Sequence, residues 1–548
     1  MRLSWAISIL LFLVALAIRL PHLWTIPSLT DEGDEVLLGL AIAKGRLLPL
    51  TNVSTYLGSL YNYLLAAVFV VFGPSPFAAR ALVVLAGALT VPGTYFLARE
   101  LGLGQRAALI AAGLIATSGA HVMVSSHVAW AHSLAPLAAT LASWLLVRAA
   151  RLASGRLLVA AGLAFGLTVQ IHTTAVALLP GAALYAAIRR ASWLRTAWPY
   201  AAGLAFLLAN ANLIAFNMIT GGASIADAQN VAASYTRTRA RGLDLYVENL
   251  GKLGLGLTRI ASGAVDIRDD AAAYLFDPLV WLYVILLMVG LLRARSGLAS
   301  LTWLAILPYA LVLPLANAKY EVIPNGRFLA PLLPLCALAI AFGLDAALAR
   351  LPRGRPGWPR WALSLAGIAL VLWPLVPLAR RYEQMADSEV TSTMLVSAAN
   401  EVESRMAPDE WVALDPDLDK LWLDGGGDYL SAFRYLLSLG GTPNTELEFR
   451  RQAERGDLNS CQPNTVELRR VEPERSPGAT RLFEDDPATP RDETLTPYWQ
   501  IRAVQRSDRV RDAQRGQADE WREVIATYSP PLFASARAVD RCAPGRQI

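Results

Sequence analysis

The sequence predicts a polytopic α-helical membrane protein with a small α/β domain towards its C-terminal end. Three observations predict it. The chain of 548 residues is 54% hydrophobic and only 17% charged, which is too apolar for an ordinary soluble domain. From residue 1 to about 380, segments of roughly 15 to 20 apolar residues alternate with short Arg-rich or Pro/Gly-rich breaks, and a helix needs ~20 residues to cross the hydrocarbon core. After Arg380-Arg381 the chain turns polar and no spanning segment follows. The chain thus divides into a membrane module, 1–380, and a domain outside the membrane, 381–548.

The elements follow in order. Ser4 to Ile18 is an apolar segment with no small-residue cleavage site after it, so it reads as a retained helix. Five short loops are rich in arginine: Arg99/Arg106, Arg148/Arg151/Arg156, Arg189/Arg190/Arg195, Arg293/Arg295 and Arg350/Arg353/Arg355/Arg360. The positive-inside rule puts these loops, with Arg2, in the cytoplasm. The apolar segments between them then cross in pairs. One pair turns outside at Ser125 to His132 and another at Gln170 to Thr173. Residues 197–216 cross outward, 217–275 form a long outer loop, and 276–292 return. Helices 299–316 and 328–346 bracket the outer stretch Ala316 to Arg327, and 362–379 cross outward once more.

One segment does not fit this count. Only one crossing is allowed between the first helix and Arg99, yet 59–73 and 81–98 are both apolar. The second ends at the basic loop. The first therefore lies along the outer interface, a depth that suits Tyr56, Tyr61 and Tyr63. The expectation is eleven transmembrane helices in a plasma (inner) membrane, with the N-terminus in the cytoplasm and the C-terminal domain outside. If one basic loop breaks the rule, 59–73 spans instead.

Net charge, +5, decides little in a membrane protein, where Lys/Arg placement matters more. The chain has no basic tract interleaved with aromatics, so nucleic acid is not an expected partner. No metal-ligand spacing occurs. Cys336 lies in an apolar helix as a packing residue. Cys461 and Cys542 lie in the polar part, where pairing is open if that part is extracytoplasmic.

The densest charge follows the first helix, where Asp31, Glu32, Asp34 and Glu35 fall within LTDEGDE. On this topology they share the outer surface with Arg80, His127, His132, Lys319, Tyr320 and Arg327. A carboxylate there can take a proton from an incoming hydroxyl, and arginines can hold a phosphate. Each residue also has a plainer reading. Asp31 suits the N-cap of a short helix over Gly33 to Lys44, and Asp34 and Glu35 read as its solvated or capping face. Arg80 and Lys319 suit interface anchors. The two histidines suit surface or packing positions.

Four stretches of sequence carry a resemblance. They are Asp31-Glu32 with the short helix ending Lys44-Gly45-Arg46; Phe77 to Leu82 with the helix closing in Tyr95 to Gly102; Gly162 to Leu167 through His172-Thr173-Thr174 to Leu179-Pro180; and Gly326 to Pro334. In order and spacing, over about residues 5–380, they resemble the GT-C glycosyltransferases, in the group of protein O-mannosyltransferases and lipid A aminoarabinose transferases. The resemblance implies a polyprenyl-phosphate sugar as donor, an extracytoplasmic acceptor and two interfacial helices in the first outer loop. It implies Asp31 as catalytic base, Glu32 as supporting acid, and Arg80 and Arg327 facing the lipid phosphate, where Lys319 is a further candidate. Tyr56, Tyr61, His127, His132, His172 and Tyr320 are candidate donor or acceptor contacts. With the donor held by arginines, no cofactor is called for.

The chain also departs from that family. Members lead the second interfacial helix with His-Pro-Pro or Lys-Pro-Pro, where this chain reads Tyr56-Leu57-Gly58-Ser59-Leu60-Tyr61. Members carry Ser-Arg and, further on, an acid in the second outer loop. Here Ser126-His127 and His132 stand there. A role for a second acid falls to Glu32, to His132 or to no residue. The rival reading is a transporter or lipid-linked sugar flippase. It is disfavoured because the spanning segments carry almost no ionisable residues away from their ends.

In the polar part, Val390 to Met406 and Tyr429 to Leu439 read as helices and Trp411 to Asp415 as a buried strand. Glu467 to Tyr498 reads as a long loop with few apolar residues. Nothing there reads as chemistry.

Overall fold

A computed structural model describes residues 2–25, 32–235, 242–263, 273–315, 325–349, 358–386, 392–405, 411–414, 429–440, 465–468, 501–505 and 522–526. The described chain is almost wholly helical and divides into two compact units. The first comprises Met1–Leu23, Leu38–Gly73 and Phe77–Glu383; the second comprises Trp24–Leu37, Pro74–Pro76 and Gln384–Ile548.

The first half of the chain forms α1 (Arg2–Arg19), α2 (Glu32–Ala43), α3 (Leu60–Phe72), α4 (Pro76–Glu100), α5 (Gln105–Thr117), α6 (Gly119–Val124), α7 (Ala135–Leu152), α8 (Gly155–Ile171), α9 (Leu179–Arg189), α10 (Trp198–Ala209), α11 (Ala211–Thr220), α12 (Ala223–Tyr235) and α13 (Leu243–Ser262). There follow α14 (Pro278–Ala294), α15 (Ser300–Val312), α16 (Leu333–Ala349), α17 (Trp358–Leu372) and α18 (Leu375–Ala386). Local chemistry starts several of these. Proline sits in the first turn of α7, α9, α10 and α14, where its missing N–H costs no bond. Asp277 caps α14 by accepting from the Leu279 amide at 2.8 Å.

Among the described residues, four helical stretches are long and apolar enough to cross a membrane: Pro76–Glu100, Ala131–Leu152, Arg327–Ala349 and Leu365–Glu383. The pair α10 and α11 qualifies jointly, bent by 63°. Seven shorter apolar helices accompany them. Each of the eleven expected segments coincides with one of these helices, and α3 is the additional apolar helix, at 60–72. Two expectations are corrected. Residues 197–216 are a bent pair and not one straight helix, because Asn210 interrupts them. Its side-chain amide donates to Phe206 O (2.9 Å) and Gly166 O (3.3 Å). Residues 217–275 hold α12 and α13, so much of the expected long loop is helical.

Lipid tails are as apolar as leucine, so helices in a bilayer gain by close packing of small residues. The contact of α14 with α16 shows this: a Cβ on Gly290 would lie 1.6 Å from the Ala339 carbonyl oxygen. The basic loops meet one another. Glu100, only 8% exposed, pairs with Arg151 (2.5 Å) and Arg148 (3.5 Å). Arg190 donates to Ala150 O (2.6 Å). Arg106 grips Asp345, near the end of α16, through Nε (3.0 Å) and Nη2 (2.6 Å). Cys336 is buried in α16.

The second unit contains α19 (Ser392–Arg405), β1 (Trp411–Leu414), α20 (Tyr429–Gly440), β2 (Thr465–Leu468), β3 (Ile501–Gln505) and β4 (Arg522–Ala526). β1 pairs parallel with β2, Trp411 opposite Thr465. Parallel neighbours need a crossover, and α20 lies in it. β3 and β4 pair antiparallel, Ile501 opposite Ala526. Both helices and the strand expected in this region are present. Residues 469–498 of the expected loop, Cys461 and Cys542 lie outside the described residues.

Candidate active site

Two clusters of buried polar side chains lie in the first unit, and one around Glu32 lies in the second. The first cluster surrounds the end of α1. Arg80, in the first turns of α4, is fully buried and donates from Nη1 to Leu23 O at 2.9 Å. His127 Nε2 bonds Pro21 O at 3.0 Å. Its Nδ1 lies 2.6 Å from Ser126 Oγ and 3.1 Å from the Tyr382 hydroxyl. Burial pushes the His127 pKa down to about 3, and the charges of Arg80 and His22 add to this against the bond to Pro21. Arg19 Nη2 reaches His121 Nδ1 at 2.6 Å, and Arg19 Nη1 donates to Ala15 O at 2.9 Å. Arg19, His121 and Tyr382 were not anticipated. Arg19 ends an apolar run and reads from sequence as an anchor; only tertiary packing buries it.

The second cluster surrounds Arg327. Its guanidinium carbon lies over the Trp130 ring at 4.8 Å and over the Phe328 ring at 5.1 Å, within cation–π reach. His132 and His172 pack with ring centroids 4.1 Å apart and planes tilted by 51°, and His172 lies 5.7 Å from Phe328. The Phe328 carbonyl accepts from Tyr309 OH (2.6 Å) and Thr174 Oγ1 (3.1 Å). These two bonds fix the backbone beside Arg327. His172 Nδ1 is 2.6 Å from Thr174 Oγ1. Burial first, and then the Arg327 charge, pushes the His172 pKa down to about 3. The His172 ring is therefore neutral at physiological pH.

Phe328 and His172 line a cavity of about 690 Å³, within the size range of small-molecule sites. Most of its wall is apolar, from Val176, Leu213, Ile225, Val312 and Leu315; the polar groups include His172, Thr173, Asn217 and Gln229. Tyr56 also lines it, and its loop is firmly held. The Thr55 amide and hydroxyl both donate to Asp227 Oδ2 on α12 (2.9 and 2.8 Å), and Ser224 Oγ donates to Thr55 O (2.6 Å). The Gly58 amide donates to Gln170 O at 3.0 Å. A Cβ on Gly58 would sit 1.7 Å from Gln170 Oε1, so this position demands glycine. Gln170 in turn donates to Ala209 O (2.7 Å) and to the Asn212 amide oxygen.

In the second unit Glu32 is fully buried in the first turn of α2 and accepts from the Tyr435 hydroxyl at 3.2 Å. The Ser392 amide donates to Thr25 O at 2.9 Å, and Thr393 Oγ1 donates to Trp24 O at 2.7 Å. Asp34 is exposed, but Glu35 is 7% exposed. Of the solvated or capping face expected for Asp34 and Glu35, the solvated alternative is corrected for Glu35, which stands buried in the first turn of α2. Tyr61 is likewise fully buried in α3 and does not face the interface, unlike Tyr63, which is 37% exposed. Asp31, Lys319 and Tyr320 lie outside the described residues. Of the other predicted positions, the structure joins Arg80 with His127, and joins His132, His172 and Arg327 beside the cavity that Tyr56 lines. Trp130, Thr174, Tyr309 and Asp227 support these groups and were missed. Only Asp227, an acid in an otherwise uncharged helix, left a signal.

Residues 58–215 match the family model described as dolichyl-phosphate-mannose-protein mannosyltransferase. The match covers less than a third of the chain. Among solved structures, the chain is similar to ArnT from Cupriavidus metallidurans bound to undecaprenyl phosphate. Identity is 14%, coverage 95% of this chain and 97% of that one, and the TM-score 0.51. It is also similar to the Archaeoglobus fulgidus oligosaccharyltransferase in its apo form, at 15% identity, covering 86% of this chain and 70% of that one, with a TM-score of 0.48. The first likeness gives this chain an ArnT-like fold. No curated protein sequence matches it significantly.

Proposed function

We propose that the protein transfers a sugar from a polyprenyl-phosphate carrier to a hydroxyl of an extracytoplasmic acceptor, inverting the anomeric carbon. The observation that carries this reading is Arg327, stacked on two aromatic rings beside a largely apolar cavity. A lipid-linked phosphate needs both elements: a planar cation for the phosphate and an apolar wall for the chain. The carrier in the Cupriavidus ArnT structure, undecaprenyl phosphate, has that chemistry.

In this proposal Asp31 takes the acceptor proton as the oxygen attacks the anomeric carbon from the face opposite the phosphate. The C–O bond to the phosphate breaks and the lipid phosphate leaves with the electron pair. Glu32 supports Asp31. Arg327, with Lys319, offsets the charge that grows on the leaving phosphate. The protein crosses the inner membrane eleven times, N-terminus inside and residues 381–548 outside. The mutual contacts of the arginine loops, and of Arg106 with Asp345, support this topology, since all of these belong to one side of it.

The test is transfer of radiolabelled sugar from polyprenyl-phosphate donors to membrane acceptors, comparing wild type with Asp31→Asn. Loss of a general base removes about 10²- to 10⁴-fold in rate, so the variant should transfer at no more than about 1% of wild type. Equal transfer by both would move the base away from Asp31. Absence of transfer with every donor would refute the glycosyltransferase reading.

A further inference from the structure

His172 and the second imidazole packed beside it are explained by neither the fold nor the phosphate site. His172 is 1% exposed, and among the described residues its Nε2 is buried with no hydrogen-bond partner. Buried polar atoms are seldom left unpaired, and one that is calls for a reason. The ring cannot turn away to find a partner. Nδ1 is engaged with Thr174, whose hydroxyl bonds the Phe328 carbonyl, and the His132 ring packs tilted against it with centroids 4.1 Å apart. The ring belongs to the cavity wall beside Phe328, the residue next to Arg327. The polar groups on that wall, among them His172, Thr173, Thr174, Asn217 and Gln229, carry no formal charge, and most of the rest is apolar.

From this arrangement we infer that His172 binds a hydroxyl of the donor's sugar, next to the phosphate held by Arg327. This rests on the reading given under Proposed function and extends it from the phosphate to the group transferred. The chemistry selects a hydroxyl. It is both donor and acceptor, so it satisfies Nε2 in either tautomer. A carboxylate only accepts and an ammonium only donates. The apolar wall suits the lipid to which the sugar is joined, and a neutral polar patch beside a cation suits a polyol joined to a phosphate. His172 is in this sense a specificity-determining contact, and His132 a positioning residue behind it.

The test measures binding to the full chain in lipid nanodiscs. The probes are undecaprenyl phosphate and the decaprenyl-phosphate forms of mannose, glucose and arabinose. The proteins are wild type, His172→Ala and His172→Gln. Wild type should hold at least one sugar-bearing lipid more tightly than the bare phosphate. His172→Ala should weaken that lipid roughly 5- to 30-fold, the usual cost of leaving a hydrogen-bonding group unpaired, and change undecaprenyl phosphate less than twofold. His172→Gln, which keeps a polar group there, should recover part of the loss. An equal loss for all probes, no loss for any, or a wild type that does not distinguish sugar-bearing from bare lipid would overturn the inference while leaving the phosphate site standing. A wild type that binds no prenyl phosphate at all would refute the glycosyltransferase reading, and this inference with it.

Discussion

Arg80 and Arg327 are the two arginines that the family resemblance aims at one phosphate, and the structure treats them differently. Arg80 has no exposed surface, and its guanidinium holds the Leu23 carbonyl. Arg327 is half-buried, lies over the Trp130 and Phe328 rings, and adjoins a cavity. Each has a buried histidine beside it, but His127 bonds backbone and two hydroxyls while His172 lines the cavity. One cluster resembles a structural brace around the end of α1, and the other an oriented cation beside a binding space. The same residue type in a matching motif position can thus serve the chain or serve a ligand, and burial with a backbone partner separates the two.

The largest effect expected from this contrast is at Arg327. Arg327→Ala should lower transfer by about 10²- to 10³-fold, the loss typical of one preorganised charge-stabilising group. Thermal stability in detergent should stay near wild type. Arg327→Lys should recover little, because an ammonium neither stacks on two rings nor forms a bidentate fork. Arg80→Ala should reverse the pattern. It strands the Leu23 carbonyl, which costs about 1–3 kcal/mol, so a lower melting temperature should precede any loss of transfer. If Arg80→Ala melts like wild type yet transfers poorly, the contrast collapses and Arg80 belongs to the phosphate site.

The smallest effect is a pH dependence shared by the two clusters. His127 and His172 take up protons only near pH 3 when folded, against about 6.5 when unfolded. Between those values the unfolded chain binds more protons, so stability falls as pH is lowered from about 6.5 towards 3. Each histidine contributes at most about 1.4 kcal/mol per pH unit in that window. Thermal inactivation measured from pH 7.5 to 5 should therefore be less pH-sensitive in His127→Gln than in wild type. An unchanged slope would mean that His127 is not held neutral.

Periodicity and hydropathy were enough to locate the apolar helices, though not α12 and α13 in the expected outer loop. Every expected crossing has its helix, as do α2, α3, α19 and α20, because apolar length and turn residues act locally. Asn210 escaped notice because a polar residue in an apolar run bends a helix only when neighbouring carbonyls, here those of Gly166 and Phe206, compete for it. The burial of Glu35 and Tyr61 escaped notice because each lies in a short helix whose sequence alone does not say which face is covered. In the candidate site, motif positions led to Arg80, Arg327, His127, His132 and His172. What surrounds them did not follow from motifs. Trp130, Tyr309 and Thr174 come to Arg327 and Phe328 only through tertiary contact between segments as much as 197 residues apart (327 − 130).

The hydrogen bonds within the second unit bear on how such a protein can be taken apart. The residues after Gln384 share that unit with Trp24–Leu37. They cap the Trp24 and Thr25 carbonyls through Thr393 and Ser392, and they reach Glu32 through Tyr435. The C-terminal region is therefore not a cassette that can be cut off or traded between relatives on its own. A chimera that exchanges it must carry the short acidic segment after α1 along with it, although nearly 350 residues of sequence separate the two.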